Sequence, residues 1–491
     1  MSSYNLNHNE IKTIGHFTGY VCVLLGLFML IPIFCSLIFH DNVIYLNAFI
    51  ISAAISLGFG LSLFLVFKRK NITKLSLKGS LLFVLSIWGV TACICGLPFY
   101  FSGNLSFIDS IFEGMSGITT TGFSLLSFDT YPYSLGLWAA LTQWLGGLGI
   151  IVLLLVIVPS SVSLKRLYFA EGKTEQMTPN IKHTITIFIK LYLILTSIGI
   201  LLYLLAGLDL FNAICYTFCG IATGGFSINP SSVNYFNSVI IEFITIIIML
   251  IGSTNFIILY RIIKGNFKNM QKDVELKAMV RIIIVATFFI TLSLYFNGFY
   301  GSDITVIFRH ALFQVVSVMS STGFSTTNIC FWPPFCIYIL IILMFIGGSV
   351  CSTAGGIKIY NIEILIKSIW WEVQSMLLPK NAVILKKVYH DNKHREISNN
   401  AIRTIHIYII AYVLIFIVST FLILIYCNDL QTAVLISASA LGNTGIGPSY
   451  VSVSMPLLIK IVMILDFWVG RIGVWPLLLL LIFGFDMLKK K

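Results

Sequence analysis

Apolar residues run in long blocks along this chain, and polar residues are confined to short intervals between them. A helix needs about 20 apolar residues to cross roughly 30 Å of hydrocarbon. On that ruler ten blocks qualify as spans: 16–39, 43–67, 77–101, 135–158, 185–208, 238–260, 280–297, 334–370, 401–427 and 455–485. Between the third and fourth, fifth and sixth, seventh and eighth, and ninth and tenth lies a segment too apolar for a loop and too short to cross. Each predicts a re-entrant element, a short helix that enters the membrane and a chain that returns. The unit of span, re-entrant run and span therefore occurs four times after an initial two-span hairpin.

The four re-entrant runs end alike, in small hydroxylated residues, a glycine and usually an aromatic. They read Ile118-Thr119-Thr120-Thr121-Gly122-Phe123, Ala222-Thr223-Gly224-Gly225-Phe226, Ser320-Ser321-Thr322-Gly323-Phe324 and Gly442-Asn443-Thr444-Gly445-Ile446. Their last glycines lie 103, 98 and 122 residues apart, and a polar stretch from about 372 to 400 absorbs the extra length of the third interval. This divides the chain into an N-terminal two-helix hairpin over 1–74 and four pore-type units over 75–165, 166–265, 266–370 and 371–491. The expected fold class is an all-α polytopic membrane protein, with four helix–pore helix–helix units around a central axis. Each short helix would bring its partially negative C-terminal end to the membrane interior. Irregular backbone at that depth is tolerated where it lines a water-filled path, and carbonyls in four-fold array replace the hydration shell of a monovalent cation.

Composition sharpens the exclusions. With 58% hydrophobic and 10% charged residues and a mean hydropathy of +0.95, a soluble globular enzyme is ruled out. The net charge of +12 reads as topology, because Lys and Arg gather in 68–78, 165–182, 261–281 and 367–403, while 102–134, 208–236 and 428–455 contain neither. The positive-inside rule places the basic runs and both termini in the cytoplasm, and no nucleic-acid partner is implied. The ten cysteines form no close CxxC pair; Cys330 and Cys336 alone are placed to face outside together, and free thiols are expected there. A polytopic enzyme, the competing class, needs clustered carboxylates or histidines. His8, His16, His40, His183, His310, His390, His394 and His406 form no ligand pattern beyond an exposed His390/His394 pair, so neither an enzyme nor a cofactor is expected.

The run Thr120-Thr121-Gly122-Phe123 resembles the Thr-Val-Gly-Tyr portion of a potassium-channel filter, and the other three runs are degenerate versions of it. With one glycine per repeat, the chain over essentially its whole length resembles the superfamily of K⁺ transporters comprising the TrkH/TrkG, KtrB and plant HKT proteins. Three stretches narrow the resemblance to the Trk branch: Gln143-Trp144-Leu145-Gly146-Gly147-Leu148-Gly149-Ile150; Gly347-Gly348-Ser349 with Ser352-Thr353-Ala354-Gly355-Gly356-Ile357-Lys358; and Gly470-Arg471-Ile472. The N-terminal hairpin points the same way. Two departures stand out. Gly473 occupies the place of a glutamate common in the family, and Gly224 replaces a larger or hydroxylated residue, an exchange expected to loosen the second filter segment without changing its carbonyl count.

The resemblance implies K⁺ uptake across the bacterial cytoplasmic (inner) membrane, with K⁺ as transported ion and no cofactor. The implied filter is Thr120, Thr121, Gly122, Thr223, Gly224, Gly225, Ser321, Thr322, Gly323, Asn443, Thr444 and Gly445. Relatives with serine at the position of Gly122 tend toward Na⁺, so Gly122 favours K⁺. The implied gate is an intramembrane loop containing Gly347, Gly348, Ser349, Ser352, Thr353, Gly355 and Gly356, with Arg471 as an electrostatic brake beneath the filter. A structural ion pair of Arg471 with Asp466 is the alternative for that arginine, and Lys358 is expected to snorkel to the interface. Of the outer acids Asp109, Glu113, Asp209, Asp303 and Asp429, most are expected to cap short helices, and Glu113 to brace the filter. The implied partners are membrane lipid, a second copy in a homodimer, and a cytosolic nucleotide-binding protein of the TrkA type. Basic loops around Lys165–Arg166, Lys386–Lys387 and Lys393–Arg395 are its expected contact surface. Coupling is not legible in filter residues, so a Na⁺- or H⁺-coupled K⁺ symporter on the same fold remains the alternative.

Overall fold

The computed structural model describes residues 8–67, 75–126, 132–149, 181–265, 272–379, 384–390, 393–448 and 450–478. Among them are six helices long and apolar enough to cross a membrane. Two form the initial hairpin: α1 (His8–Phe28), continued by α2 (Leu30–Ile38), and α3 (Val43–Val66). The other four open the four units: α4 (Leu77–Phe101), α7 (Ile181–Leu205), α11 (Val274–Phe296) and α15 (Asn399–Cys427). Their outer faces carry exposed side chains such as Leu205, Phe288, Phe296 and Phe421, as a lipid-facing surface requires.

Apolar length alone predicts ten continuous spans; the interruption of one of them at 347–356 is the loop already expected, and the structure corrects three others. In every unit it is the second span that breaks. Helix α6 (Tyr133–Leu148) stops at Gly149 and α17 (Leu457–Ile472) stops at Gly473, both glycines in left-handed backbone with φ of 88° and 86°. The predicted span 238–260 is two helices, α9 (Val239–Ser253) and α10 (Phe256–Ile263), bent by 111°. Asn255 starts the second of these by accepting the Ile257 N–H at 2.9 Å. The block 334–370 is α13 (Pro334–Phe345) and α14 (Ile359–Leu377), separated by the expected Gly/Ser/Thr interruption. A hydropathy ruler counts apolar residues and is blind to such breaks. Residues 150–158 and 479–485 of two predicted spans, with the basic clusters at 68–74 and 165–166, lie outside the described residues.

Between first and second spans sit four short helices: α5 (Phe107–Ile118), α8 (Leu210–Ile221), α12 (Ile304–Met319) and α16 (Leu430–Leu441). Ser106, Asp209, Asp303 and Asp429 are their N-caps, each side chain accepting a first-turn backbone N–H. Hydrogen bonds from Thr305 and Thr432 hold the exposed Asp303 and Asp429 carboxyls below the usual carboxylate range. The second spans approach these helices closely because they carry glycine at the contact. A Cβ at Gly146, Gly252 or Gly470 would overlap the carbonyl oxygen of Ile118, Ile221 or Leu441, the last residue of the short helix in the same unit.

One element departs from an all-helical reading. Strands β1 (Lys387–His390) and β2 (Lys393–Glu396) form an antiparallel hairpin between α14 and α15. Val388 and Ile397 pack with Ile364, Trp371 and Ile402, so this polar stretch has a small apolar footing of its own. The alternation of β1 also buries His390, which corrects the exposed His390/His394 pair. All ten cysteines are free.

Two ion pairs join neighbouring units through the short helices, the first of them buried and the second half-buried on its arginine side. Lys460 Nζ of α17 lies 2.5 Å from Asp109 Oδ1 of α5, and Arg309 Nε of α12 lies 3.3 Å from Glu242 Oε2 of α9. Removing one partner of a buried pair strands the other charge, at a cost of about 3–5 kcal/mol. Lys460→Met should therefore lower the unfolding midpoint of the detergent-solubilised protein strongly, and Asp109→Leu in the same chain should restore most of it. Additive losses in that double-mutant cycle would show that the pair does not join the units.

Candidate functional site

Where each short helix ends, the backbone repeats itself. Thr120, Thr223, Ser321 and Asn443 all take left-handed conformations, with φ of 56°, 54°, 57° and 51°, and Gly122, Gly225, Gly323 and Gly445 follow with φ of 93°, 76°, 86° and 72°. The N–H groups of Thr121, Gly224, Thr322 and Thr444 reach back to Ser116, Cys219, Ser317 and Ser439 carbonyls at 2.8–2.9 Å, closing a Schellman-type end on every helix. Glycine is the ordinary residue at the left-handed position. Threonine, serine or asparagine there costs of order 1–3 kcal/mol, and such strain concentrates at working sites.

The four segments interlock in a cycle. A Cβ on Gly122 would overlap the Gly224 carbonyl oxygen; on Gly225, that of Thr322; on Gly323, that of Thr444; and on Gly445, that of Thr121. Each glycine is thus required by the neighbouring segment as well as by its own φ. The side chains of Thr120, Thr121, Thr223, Ser321, Thr322, Asn443 and Thr444 are all buried.

Each segment has its own brace. Glu113 Oε1 accepts the Leu125 N–H at 2.5 Å and the Ser124 hydroxyl at 2.9 Å, the bracing role expected of it. The Tyr216 hydroxyl lies 2.8 Å from Ser227 Oγ at the equivalent place in the second segment. Ser116 and Ser317 donate to the Phe123 and Phe324 carbonyls at 2.6 Å. Asn443 Nδ2 donates to Thr121 Oγ1 at 2.8 Å and to the Phe467 carbonyl at 2.9 Å, tying the fourth segment to the first.

The role of Gln143 was not visible in the sequence. Its Nε2 donates to the Gly224 carbonyl at 2.7 Å and its Oε1 accepts the Phe226 N–H at 3.1 Å. A Cβ at Gly224 would overlap the Gln143 amide. The exchange at Gly224 therefore admits a clamp, and the second segment is pinned where loosening was expected. An amide in an otherwise apolar span was the available signal.

Beneath the segments lies the interruption between α13 and α14, and residues 347–357 are buried throughout. Parallel pairing of Ile346 with Ile357 closes its base. The Thr353 hydroxyl sits 2.9 Å from the Ile221 and Gly252 carbonyl oxygens and 3.2 Å from the Thr223 hydroxyl. The N–H groups of Ser349 and Val350 go to the Ser253 carbonyl and Glu275 Oε1 at 2.9 and 2.8 Å, and that of Gly356 to the Gly470 carbonyl at 3.3 Å. Lys358 folds back to donate to the Ala354 carbonyl, in place of the expected reach to the interface.

Arg471 staples this loop to the first unit. It donates to the Thr353 carbonyl and, through Nη2, to the Gly146 carbonyl at 2.5 Å, with Gly147 at 3.4 Å. A cation at the C-terminal turn of α6 is favourably placed. The Asp466 carboxylate accepts from Ser419.

Gly224→Ala should destabilise the protein by about 1–3 kcal/mol through overpacking against Gln143, and most of that added cost should vanish in a Gln143→Ser background. Thermal unfolding in detergent measures both. An equal penalty in the two backgrounds would detach Gln143 from the second segment.

Residues 46–489 match the TrkH family model, described as a cation transport protein. The chain is 33% identical over 483 residues to the Trk system potassium uptake protein TrkH of Escherichia coli, covering 96% of this chain and 98% of that protein. It is 30% identical over 484 residues to an uncharacterized cation transporter of Methanocaldococcus jannaschii, covering 98% and 97%. The crystal structure of the potassium transporter TrkH from Vibrio parahaemolyticus superposes with a TM-score of 0.83 at 29% identity, covering 96% of this chain and 98% of that one. A multi-pass membrane protein with this match over most of its length belongs to the TrkH family, a family of transporters and not of enzymes.

Proposed function

We propose that this protein takes up K⁺ across the cytoplasmic membrane through a pore whose selectivity filter is the interlocked ring of four segments. The observation that carries this reading is the closed cycle of contacts among Gly122, Gly225, Gly323 and Gly445 and the carbonyls preceding the next glycine. Four copies of one strained backbone, held rigid in a buried setting, supply oxygen ligands in place of hydration water. The chain divides into the hairpin 1–74 and the units 75–165, 166–265, 266–370 and 371–491, with the basic face and both termini cytoplasmic. The loop containing Gly347–Gly356 is the gate, packed under Thr223 and held by Arg471, whose charge also opposes a cation in the path below the filter.

Flux of K⁺, Rb⁺ and Na⁺ into liposomes holding only this protein tests the reading. Uptake of K⁺ and Rb⁺ over Na⁺ without an imposed H⁺ or Na⁺ gradient is expected; dependence on such a gradient would establish the coupled symporter instead. Gly122→Ser should reduce K⁺ over Na⁺ preference, because its Cβ displaces the Gly224 carbonyl, and Arg471→Ala should raise flux by freeing the loop. Unchanged selectivity in a well-folded Gly122→Ser protein removes that glycine from the filter. Reduced flux in Arg471→Ala makes the arginine structural.

Regulation is assigned to a cytosolic nucleotide-binding protein of the TrkA type acting on a homodimer of this chain, since relatives are named as members of a potassium uptake system. The hairpin with Lys386, Lys387, Lys393 and Arg395 is the proposed contact. Co-purification with that partner should be lost on charge reversal at Lys386 and Lys387; binding that tolerates the reversal rules this surface out.

A further inference from the structure

We propose that Asp273, Glu275 and His390 form a binding site for a divalent transition-metal ion of the Zn²⁺ class, and that its occupancy holds the intramembrane loop in place. The first half stands on the geometry below; the second rests on the gate reading.

All three residues are buried, each offers one donor atom, and these atoms lie within 4.8 Å of one another. They arrive from parts of the chain far apart in sequence. Asp273 and Glu275 begin α11, and His390 ends β1. His390 Nδ1 is 3.2 Å from Asp273 Oδ2, close to the roughly 3.4 Å that separates donors around a tetrahedral ion with bonds of about 2.1 Å.

The donor set selects the ion. One imidazole nitrogen with two carboxylates suits Zn²⁺ and its neighbours, whereas Mg²⁺ and Ca²⁺ favour oxygen-only shells. Outer contacts orient the donors, as metal sites require. Asp273 Oδ1 accepts the Glu275 N–H at 2.9 Å, and the His390 ring packs against Tyr360 at 4.9 Å between centroids.

The same residues reach the loop. Glu275 Oε1 accepts the Val350 N–H at 2.8 Å, and Asn255, at the 111° bend, lies 3.5 Å from Glu275 Oε2. Val350 is three residues from Thr353, which packs under the second ring segment. A metal that fixes Glu275 therefore fixes the anchor of the loop and joins the hairpin to it.

Titrating Zn²⁺ into the purified, chelator-treated full chain by calorimetry should show one ion bound per chain. His390→Ala and Glu275→Gln should each weaken binding about tenfold or more, while His394→Ala, on the exposed side of the same hairpin, should bind as the parent does. Glu275→Gln keeps an acceptor for the Val350 N–H, so a folded variant is available even if His390→Ala is unstable. No bound Zn²⁺, or equal affinity in the folded variants, overturns the site and leaves a His–Asp pair. In liposomes, Zn²⁺ at the basic face should lower K⁺ flux of the parent and spare Glu275→Gln. Binding without a change in flux overturns the link to the loop and leaves the site standing, and loss of K⁺ flux from the metal-free parent would instead count against the transport reading.

Discussion

Irregular backbone inside a membrane must satisfy its polar groups without lipid's help, and the rest of this structure follows from how four such stretches do so together. Each glycine of the ring leaves room for a carbonyl oxygen of the next segment, and the fourth returns to the first. No segment can shift alone. The left-handed Thr120, Thr223, Ser321 and Asn443 are held in this buried, interlocked setting, and two of their side chains tie into neighbours: Asn443 to Thr121 and Thr223 to Thr353.

The ring also explains the broken second spans. Straight helices at those places would leave the segments unsupported from below. Instead α6 and α17 stop at left-handed glycines, α9 turns into α10, and α13 gives way to a buried loop whose N–H groups are bonded to Ser253, Glu275 and Gly470. Most of these are single hydrogen bonds to backbone groups, each with a modest net worth of about 1 kcal/mol. Such contacts suit a segment that must exchange them, which is what the gate reading asks of the loop. Arg471 differs, because one guanidinium spans the loop and two carbonyls at the end of α6 and so couples three elements at once.

Much of this architecture is written in the order of residues. The length of apolar blocks, the recurrence of Thr/Ser and glycine at the ends of four short runs, and the intervals without Lys or Arg are local properties that hydrocarbon and helix geometry translate directly. The capping aspartates and the bracing Glu113 were legible for the same reason, since their partners lie within a few turns.

What the tertiary structure alone decided depends on residues far apart in the chain. The clamp of Gln143 on Gly224 spans 81 residues, the bond from Arg471 to Thr353 spans 118, and the burial of His390 beside Asp273 turns on a hairpin inside a stretch that reads as polar. Hydropathy could not see the breaks at Gly149, Thr254 and Gly473 either, because a helix in hydrocarbon gains from every apolar residue whether or not it is straight. Sequence determined that four equivalent segments would meet. Their mutual contacts determined which glycines are indispensable, and why.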